Sequence, residues 1–401
     1  HNLYPNDPAS ASALSVRSGA DLECGNSFPA LVEAVQNGIL PEEEIDRALL
    51  RVLKARFELG EMDPQRKVSW SRIPEKLLAC DKHHELALKM ARETMTLLQN
   101  NGSVLPLAVV GPNAADSLVM WGNYNGTPRK TTTVLEGITA KVGAENVVYA
   151  KGCEIAAMMA DEGKYSETEG NYHDESVKAA AEGAAAGGFD AGMFADVDAI
   201  IYVGGLSPKL EGEEMKVDYK GFKGGDRTSI ELPETQREYI SRLASLGKPV
   251  IFVHLSGSAV ALAPEVLNCD AILQGWYGGQ AGGEAVADVL FGDYNPAGRL
   301  PVTFYASDAD LPDFGDYDMP GHTYRYFEGT PLFPFGHGLS YSTFEYGEAV
   351  LEDGILRIPV SNVSAVDGDE VVQVYVKAVA DAEGPAKSLR GFRRVHIKAG
   401  E

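Results

Sequence analysis

The 401-residue sequence has little of what marks several large classes of protein. No stretch approaches the roughly 18 unbroken apolar residues that a membrane-spanning helix needs. Basic residues are outnumbered, 35 against 58 acidic ones, and the resulting net charge of -23 repels a phosphate backbone. The composition therefore argues against membrane insertion and against nucleic acid as a partner, and it favours neutral or cationic ligands.

Cysteine is scarce and widely spaced. Cys24, Cys80, Cys153 and Cys269 form no Cys-x-x-Cys pair, and the histidines do not cluster. This spacing indicates neither a disulfide framework nor a structural zinc site, and we expect four buried thiols. The sequence begins HNLYPNDPAS, in which no initiator methionine and no targeting signal can be read, so we expect an excerpt from a longer chain.

Motifs for nucleotides and for serine nucleophiles are also missing. The glycine-rich YGGQAGGEA (277–285) has Gln280 where GxGxxG requires its second glycine, so it predicts a tight strand-to-helix turn with close packing. LSGSAVAL (255–262) contains no GxSxG elbow, and no GxxxxGK[ST] occurs in the sequence. We therefore expect no nucleotide cofactor and no metal.

Short β-branched runs alternate with helical patterns between residues 108 and 292. Runs that are apolar throughout are typical of strands in a parallel sheet buried on both faces, which predicts an α/β domain. The predicted strands are AVVGP (108–112), NVVYA (146–150), DAIIYVGG (198–205), PVIFVHLSG (249–257) and DAILQGW (270–276). The helical patterns include SVKAAAEGAAAGG (176–188), PETQREYISRLASLGK (233–248) and GGEAVADVLFG (282–292).

Different patterns flank this domain. Two amphipathic helices are predicted within residues 28–60, followed by a proline-containing linker and a helix from about His83 to Gln99. After an aromatic-rich segment, alternating runs at 355–363, 369–379 and 393–400 predict an antiparallel sandwich. The predicted divisions are 1–62, then a linker and helix (63–105), an α/β sandwich (106–310), and an aromatic-rich connection with a partial β-sandwich (311–401).

The acidic run EGEE places Glu211, Glu213 and Glu214 just beyond the predicted strand 198–205. Ligands of open parallel sheets bind beyond the carboxyl ends of the strands. Neighbouring carboxylates raise one another's pKa, so one of these groups is suited to donate a proton near neutral pH. A solvated acidic loop is the alternative interpretation, and the register lacks the spaced oxygen ligands of a calcium loop.

Histidines and aromatic residues give weaker signals. We interpret the eight histidines as structural, with His337 in FPFGHGLSY the least certain. Trp121, Tyr124, Trp276 and Tyr277 have faces that can stack on a sugar ring, although packing is the alternative for each.

Seven motifs, in order along nearly the whole chain, resemble those of glycoside hydrolase family three. They are SGADLECG, HHELALKMARETMTLLQNNGSVLPL, AVVGPNA, WGNYNGTP, GGDRTSIELPETQ, GWYGGQAGGEAVADVLFGDYNPAGRLPVTFY and HTYRYFEGTPLFPFGHGLSYSTFEY. DLECG and the long EGEE loop look most like the β-xylosidase branch, with the β-glucosidase branch as its neighbour. The resemblance implies an N-terminal (β/α)8 barrel ending in residues 1–62, the α/β sandwich and a fibronectin-III-like domain. Together these would form a retaining exo-glycosidase without a cofactor, and a homodimer is left open.

The resemblance also implies roles for individual residues. Asp226-Arg227 and Leu232-Pro233-x-x-Gln236 match the family motif that follows its acid/base glutamate, with residues 215–225 as an insertion. The Glu-x-Glu pattern assigns the general acid/base to Glu213, with Glu211 as the alternative. Substrate-binding roles are expected for Glu211, Glu214, Tyr124 and Trp276. The family's aspartate nucleophile has no counterpart here, because its motif lies shortly before the stretch that matches residues 1–25. Asp7 and Asp21 are not candidates, because they match positions past that motif.

Several alternatives stay open at this point. The expected substrate is a xylo-oligosaccharide or an aryl glycoside, but glucosides and arabinofuranosides are not distinguished. A non-catalytic carbohydrate-binding or scaffold module is the rival hypothesis, and a phosphorylase is a third, although an acidic loop suits phosphate poorly. The isolated chain is expected to be inactive. Related enzymes act in a periplasm or outside the cell, which is the expected location, yet unpaired cysteines also permit a cytoplasmic enzyme.

Overall fold

The computed structural model describes residues 7–101, 108–157, 189–212, 215, 217 and 219–401. These residues form two compact units, which divide between Cys80 and Asp81. The predicted helix at 176–188 and two of the loop carboxyls, Glu213 and Glu214, lie outside the described residues.

The first unit contains three helices around a small core. The cluster is built from small and aliphatic side chains, among them Ala13, Ala34 and Leu40. Both helical patterns predicted within residues 28–60 are confirmed, and the linker after them contains three short 3-10 turns. The helices are α1 (Pro8–Arg17), α2 (Leu31–Gln36) and α3 (Glu42–Glu58).

The second unit is built on a six-stranded sheet that is parallel except at one edge. The strand order is β1-β8-β7-β4-β2-β3, and only β1 is antiparallel to its neighbour. All five predicted apolar runs are strands of this sheet. The strands are β1 (Thr96–Asn100), β2 (Ala108–Val110), β3 (Val148–Ala150), β4 (Ile200–Gly205), β7 (Val250–Leu255) and β8 (Ala271–Gln274), and a separate hairpin contains β5 (Phe222–Lys223) and β6 (Asp226–Arg227).

Both faces of the sheet are buried, which explains why the strands are apolar throughout. Tyr202 and Phe252 belong to the core on one face, and Ile201 and Val253 belong to the core on the other. This alternation follows from the two-residue period of a strand. The described helices between residues 81 and 290 are α4 (Asp81–Thr94), α5 (Val134–Val142), α6 (Glu234–Ala244), α7 (Ala263–Asn268) and α8 (Gly282–Leu290).

The prediction of one helix from His83 to Gln99 is wrong at its C-terminal end. Helix α4 ends at Thr94, and the chain continues as β1, which pairs with β8 and is fully buried over its first three residues. The run contains no glycine or proline to stop a helical pattern. Pairing with the open edge of β8 decides the structure of this segment, because tertiary contacts override weak local preference.

The C-terminal part consists of antiparallel pairs, as predicted. The run 355–363 forms two strands because Pro359, which lacks a backbone N–H, lies just before the second of them. The pairs are β10–β11, β9–β12 and β13–β14. Their bounds are β9 (Phe344–Tyr346), β10 (Val350–Glu352), β11 (Ile355–Arg357), β12 (Val360–Asn362), β13 (Gly368–Val376) and β14 (Ser388–Ile397), and a short helix α9 (Thr323–Tyr326) precedes them.

The cysteines differ in exposure. Cys269 is buried, Cys80 and Cys153 are half-buried, and Cys24 is exposed. The expectation of four buried thiols is therefore wrong for Cys24, which lies in an irregular surface segment between α1 and α2. None of the described helices is both long and apolar enough to span a bilayer.

Candidate active site

Four loops meet at the edge of the sheet where its parallel strands end. Strands β2, β4, β7 and β8 run in the same direction, so the loops that follow them emerge on the same side. They surround a pocket of about 710 Å³. The lining residues are Asn123, Tyr124, Glu211, Gly212, Met215, Gly225, Asp226, Arg227, Gly257, Ser258 and Tyr277.

Glu211 supplies a half-buried carboxyl to this pocket. Its Oε1 lies 3.0 Å from Nε of Arg227 and accepts a hydrogen bond of 3.3 Å from the hydroxyl of Ser258. Burial raises the pKa of Glu211, while the Arg227 charge and the Ser258 hydrogen bond act in the opposite direction. The carboxyl is therefore held in one position by partners from two different loops.

Arg227 is itself fixed in place. It lies in β6, its side chain is 14% exposed, and its Nη2 donates a hydrogen bond of 2.9 Å to the carbonyl oxygen of Ala259. Among the described residues, its Nη1 is buried without a hydrogen-bond partner. The guanidinium thus contacts Glu211 through one edge and the loop after β7 through another.

A hairpin returns the chain to Glu211 after the acidic run. The amide N–H of Gly212 donates to the carbonyl oxygen of Gly225 over 3.0 Å, and that of Met215 donates to Gly224 over 3.1 Å. Gly225 has a φ of +90°, and a Cβ built on it would lie 1.8 Å from the Gly212 oxygen. Only glycine fits there, and the close approach of Gly225 to Gly212 brings Arg227 to Glu211.

The loop after β2 contributes the other wall of the pocket. The side chain of Asn123 donates a hydrogen bond of 2.7 Å to the backbone oxygen of Glu211, which ties the two loops together. Tyr124 is 89% exposed at the pocket and has a φ of +54°, a conformation that is uncommon for a residue with a Cβ. Its aromatic face is therefore presented by a constrained backbone.

The loop after β8 presents Tyr277 rather than Trp276. Trp276 has a φ of +53° and packs edge-on against Phe304, with ring centroids 6.4 Å apart. The Tyr277 ring passes close to Gly257, where an added Cβ would lie 2.9 Å from its Cε2 atom. Burial raises the pKa of Tyr277, and the charge of Glu211 raises it further, so its hydroxyl stays protonated.

A buried histidine is linked to the pocket by a chain of hydrogen bonds. His254, at the end of β7, is fully buried and hydrogen-bonds through Nδ1 to the side chain of Gln274. The Gln274 amide donates to Ser256, whose hydroxyl donates to the backbone oxygen of Ser258 over 2.8 Å. Burial, together with the smaller effect of the Arg227 charge, lowers the pKa of His254 to about 4, so the ring is neutral at pH 7.

The predicted site residues have different outcomes. Glu211 and Tyr124 are brought to one pocket, whereas Trp276 is not among the described residues that line it. Glu213 and Glu214 are outside the described residues, but Gly212 and Met215, which flank them in sequence, both line the pocket. The roles given to these residues stay predictions.

Sequence reasoning missed two contributors, Arg227 and Ser258. In the sequence, Arg227 is recognised only as part of the Asp226-Arg227 motif. A buried carboxylate, however, needs a cation or several hydrogen-bond donors. A basic residue at the end of the glycine-rich return was therefore the available signal. Ser258 gave none, because a serine in a loop is common in every class of protein.

Other polar residues named from the sequence have structural roles. Asp7 caps α1 by accepting from the Ser10 amide over 3.0 Å, and Asp21 is bound by Arg51. His337 bonds through Nε2 to the Leu98 oxygen over 2.9 Å, which fits its interpretation as a structural residue. Within the described ranges, no three His, Cys, Asp or Glu side chains are grouped so that they could hold a metal ion.

A pocket at the ends of parallel strands, carrying a carboxyl on a long loop, is typical of α/β domains that bind or transform a small ligand. Residues 95–341 match the glycosyl hydrolase family 3 C-terminal domain, and residues 370–401 match a fibronectin type III-like domain. The chain belongs to glycosyl hydrolase family 3.

Known proteins resemble the chain in sequence and in fold. The chain is 38% identical to a xylan 1,4-beta-xylosidase of Xylanibacter ruminicola, over 100% of this chain and 62% of that one. It is 31% identical to a periplasmic beta-glucosidase of Salmonella typhimurium, over 98% and 54% of the two chains. The structure of a β-glucosidase from Erythrobacter marinus superposes with a TM-score of 0.79 at 33% identity, over 100% and 55%. The chain thus spans between half and two thirds of the length of these relatives.

Proposed function

We propose that this chain supplies the general acid/base of a retaining, exo-acting β-glycosidase, a β-xylosidase that acts on xylo-oligosaccharides. The observation that carries the proposal is the pocket of the family 3 domain, in which the EGEE loop presents a half-buried carboxyl held by Arg227. Burial and neighbouring carboxylates both raise the pKa of a carboxyl, so one member of this acidic run can keep a proton until a leaving group needs it.

The motif assigns the acid/base role to Glu213, and Glu211 takes the accompanying position. Glu211 is also the alternative acid/base, supported by its place in the pocket and by the burial that raises its pKa. The two assignments differ in which carboxyl transfers the proton, and substitution separates them.

The proposed chemistry requires two carboxyls. A nucleophilic aspartate, supplied from outside this chain, attacks the anomeric carbon while the protonated glutamate gives its proton to the departing glycosidic oxygen. The resulting glutamate anion then takes a proton from water, which attacks the glycosyl-enzyme ester and releases the sugar. A retaining pair lies about 5 to 5.5 Å apart, so the acid loop must be held firmly. The hydrogen bonds at Gly212 and Asn123 provide that restraint.

Substrate preference rests on the relatives and on the aromatic residues at the pocket. The proposed sugar-binding residues are Glu211, Glu214, Tyr124 and Trp276. The likeness to a xylan 1,4-beta-xylosidase favours xylosides. A β-glucosidase is the second candidate, favoured by the likeness to β-glucosidases in sequence and in structure.

The test uses the full-length protein and a panel of aryl β-xylosides, β-glucosides and α-arabinofuranosides. Glu213→Ala should slow xylosides with poor leaving groups by about 10²- to 10⁴-fold, because those need general acid catalysis. Activated xylosides should be slowed much less, and azide should restore turnover by attacking the glycosyl-enzyme directly. Glu348→Ala, at an exposed position in the C-terminal part, is the matched control and should behave as wild type.

The outcomes separate the hypotheses. If Glu211→Ala alone gives the leaving-group dependence and azide rescue, the acid/base is Glu211. If neither variant does, the acid loop is not catalytic. Sugar binding by calorimetry without turnover of any glycoside would instead support a carbohydrate-binding module.

We further propose that the 401-residue chain alone neither hydrolyses aryl β-xylosides nor forms a covalent glycosyl-enzyme, because the nucleophile lies outside it. Incubation with a mechanism-based fluoroglycoside followed by mass spectrometry would detect any such adduct. Turnover or labelling of this chain would contradict the assignment of its residues.

The proposed location is the periplasm or the cell exterior, supported by the likeness to a periplasmic beta-glucosidase. Fractionation of cells that express the full-length protein tests this. Activity confined to the cytoplasmic fraction would contradict it.

A further inference from the structure

The contact between Arg227 and Glu211 joins the two halves of the EGEE…GGDR segment. Nε of Arg227 lies 3.0 Å from Oε1 of Glu211, and the two side chains are 14% and 22% exposed. We propose that Arg227 is a positioning residue, which fixes Glu211 as an anion in the pocket so that this charge keeps the neighbouring Glu213 protonated. Only the effect on Glu213 rests on the proposed function.

The geometry favours an ionised Glu211. Arg227 is charged at all accessible pH values, and Glu211 is the acidic side chain with which it forms an ion pair among the described residues. Protonation of Glu211 would deprive a buried guanidinium of its ion-pair partner among the described residues, which is unfavourable. Burial and the ion pair thus act on the carboxyl in opposite directions, and the pair limits how far burial can raise its pKa.

The position of Arg227 is set by the backbone around it. The Gly225–Gly212 hydrogen bond closes the hairpin, and the Ala259 oxygen holds the guanidinium from the other side. Ser258 donates to the same Glu211 oxygen that faces Arg227. The carboxyl is therefore fixed from two directions.

The consequence falls on Glu213, two residues further along. An anion held nearby disfavours a second anion and raises the pKa of that group. A proton donor needs such a raised pKa. In the acidic run, Glu211 is then the carboxylate that a cation anchors, and Glu213 is the carboxyl that keeps its proton.

Few other titratable groups within the described part of the chain face this pair. The first is the Tyr277 hydroxyl, whose pKa depends on the charges of both Glu211 and Arg227. The others are His254, whose pKa the Arg227 charge lowers, and Asp308, whose charge raises the pKa of Arg227. Asp226 lines the same pocket. His254 is neutral because burial lowers its pKa to about 4, and Tyr277 is protonated, so neither supplies a competing charge near pH 7.

The first experiment does not depend on glycosidase activity. The chain is labelled with 13C at the glutamate carboxyls, and the Glu211 signal is identified by its loss in Glu211→Gln. Arg227→Met should move the titration midpoint of that signal upward by about one pH unit or more, and Arg227→Lys should restore part of the difference. Arg390→Met, exposed on β14, is the control and should leave the midpoint unchanged. An unmoved midpoint in a folded Arg227→Met variant would overturn the inference.

The second experiment uses the pH dependence of kcat/KM in the full-length protein. Glu211→Gln removes the anion and leaves Arg227, so the pKa of Glu213 should fall and the alkaline limb should shift to lower pH by about one unit. Reduced activity with an unshifted alkaline limb would show a purely structural role and overturn the inference. If the full-length protein hydrolyses no glycoside while the carboxyl titration behaves as expected, the proposed function fails and the Arg227–Glu211 pair stands.

Discussion

The side-chain amide of Gln236 makes two hydrogen bonds to the backbone of Gly205. Its Oε1 accepts from the Gly205 amide over 2.8 Å, and its Nε2 donates to the Gly205 carbonyl oxygen over 2.7 Å. Gln236 is fully buried on α6, and Gly205 ends β4 immediately before the acidic loop. The glutamine of the Leu-Pro-x-x-Gln motif therefore substitutes for a neighbouring strand at the point where the loop begins.

Replacement of Gln236 should destabilise the α/β domain. Gln236→Leu removes both bonds to Gly205 and a third to the Ile155 oxygen, and it leaves buried backbone groups without partners. We expect a loss of about 3 kcal/mol in the free energy of unfolding, since each orphaned buried group costs roughly 1 to 3 kcal/mol. Urea unfolding followed by circular dichroism measures it. Gln65→Leu, exposed in the linker of the first unit, is the control; equal stability of the two variants would contradict this role.

Much of this architecture could be predicted because it depends on local patterns. Runs such as DAIIYVGG are apolar on both faces only where helices cover both, and they mark the buried strands. The segment 95–100 could not be assigned in this way. Its strand conformation comes from an antiparallel partner about 170 residues further along the chain, which no short window contains.

The glycines of YGGQAGGEA show the same contrast. Their interpretation as a close-packed turn is confirmed, because a Cβ on Gly283 would lie 2.1 Å from the Thr133 carbonyl oxygen at the start of α5. The partner of this contact, however, is visible only in three dimensions. The same contrast holds for the pocket. The EGEE run indicates one of its loops, whereas Ser258 and Tyr277 line the pocket because the parallel strands β7 and β8 end at the same edge of the sheet.

Acid should weaken the folded state through His254. Burial lowers its pKa to about 4 in the folded protein, against an ordinary value of about 6.5 in the unfolded chain. The unfolded chain therefore binds the proton first as the pH falls, and stability that is present above pH 6.5 is lost between about pH 6.5 and 4. We expect this group to cost roughly 2 to 3 kcal/mol between pH 7.5 and 4.5.

A substitution isolates that contribution from other titrating groups. His254→Gln keeps a donor for Gln274 but cannot titrate, so its stability should fall by less than that of wild type over the same pH interval. Urea unfolding of both proteins at pH 7.5 and 4.5 gives the difference. Equal losses in the two proteins would mean that His254 has the same pKa in the folded and unfolded states, which would contradict the lowered pKa.

Glu370 should connect the C-terminal strands to the α/β domain. Its Oε2 lies 2.7 Å from Nη2 of Arg299, and its Oε1 accepts from the Tyr346 hydroxyl over 2.6 Å. The Arg299 and Glu370 side chains are almost completely buried, so removal of one partner leaves a charge without compensation. Glu370→Gln should cost about 3 kcal/mol, and Arg299→Met a similar amount.

The double variant distinguishes an ion pair from two independent losses. Arg299→Met combined with Glu370→Gln leaves no isolated charge, so it should be more stable than the sum of the single effects predicts, with a coupling of about 1 to 3 kcal/mol. Glu345→Gln on β9, the strand that carries Tyr346, is exposed and controls for substitution close to the pair. Strict additivity in the double-mutant cycle would show that Arg299 and Glu370 stabilise the junction separately.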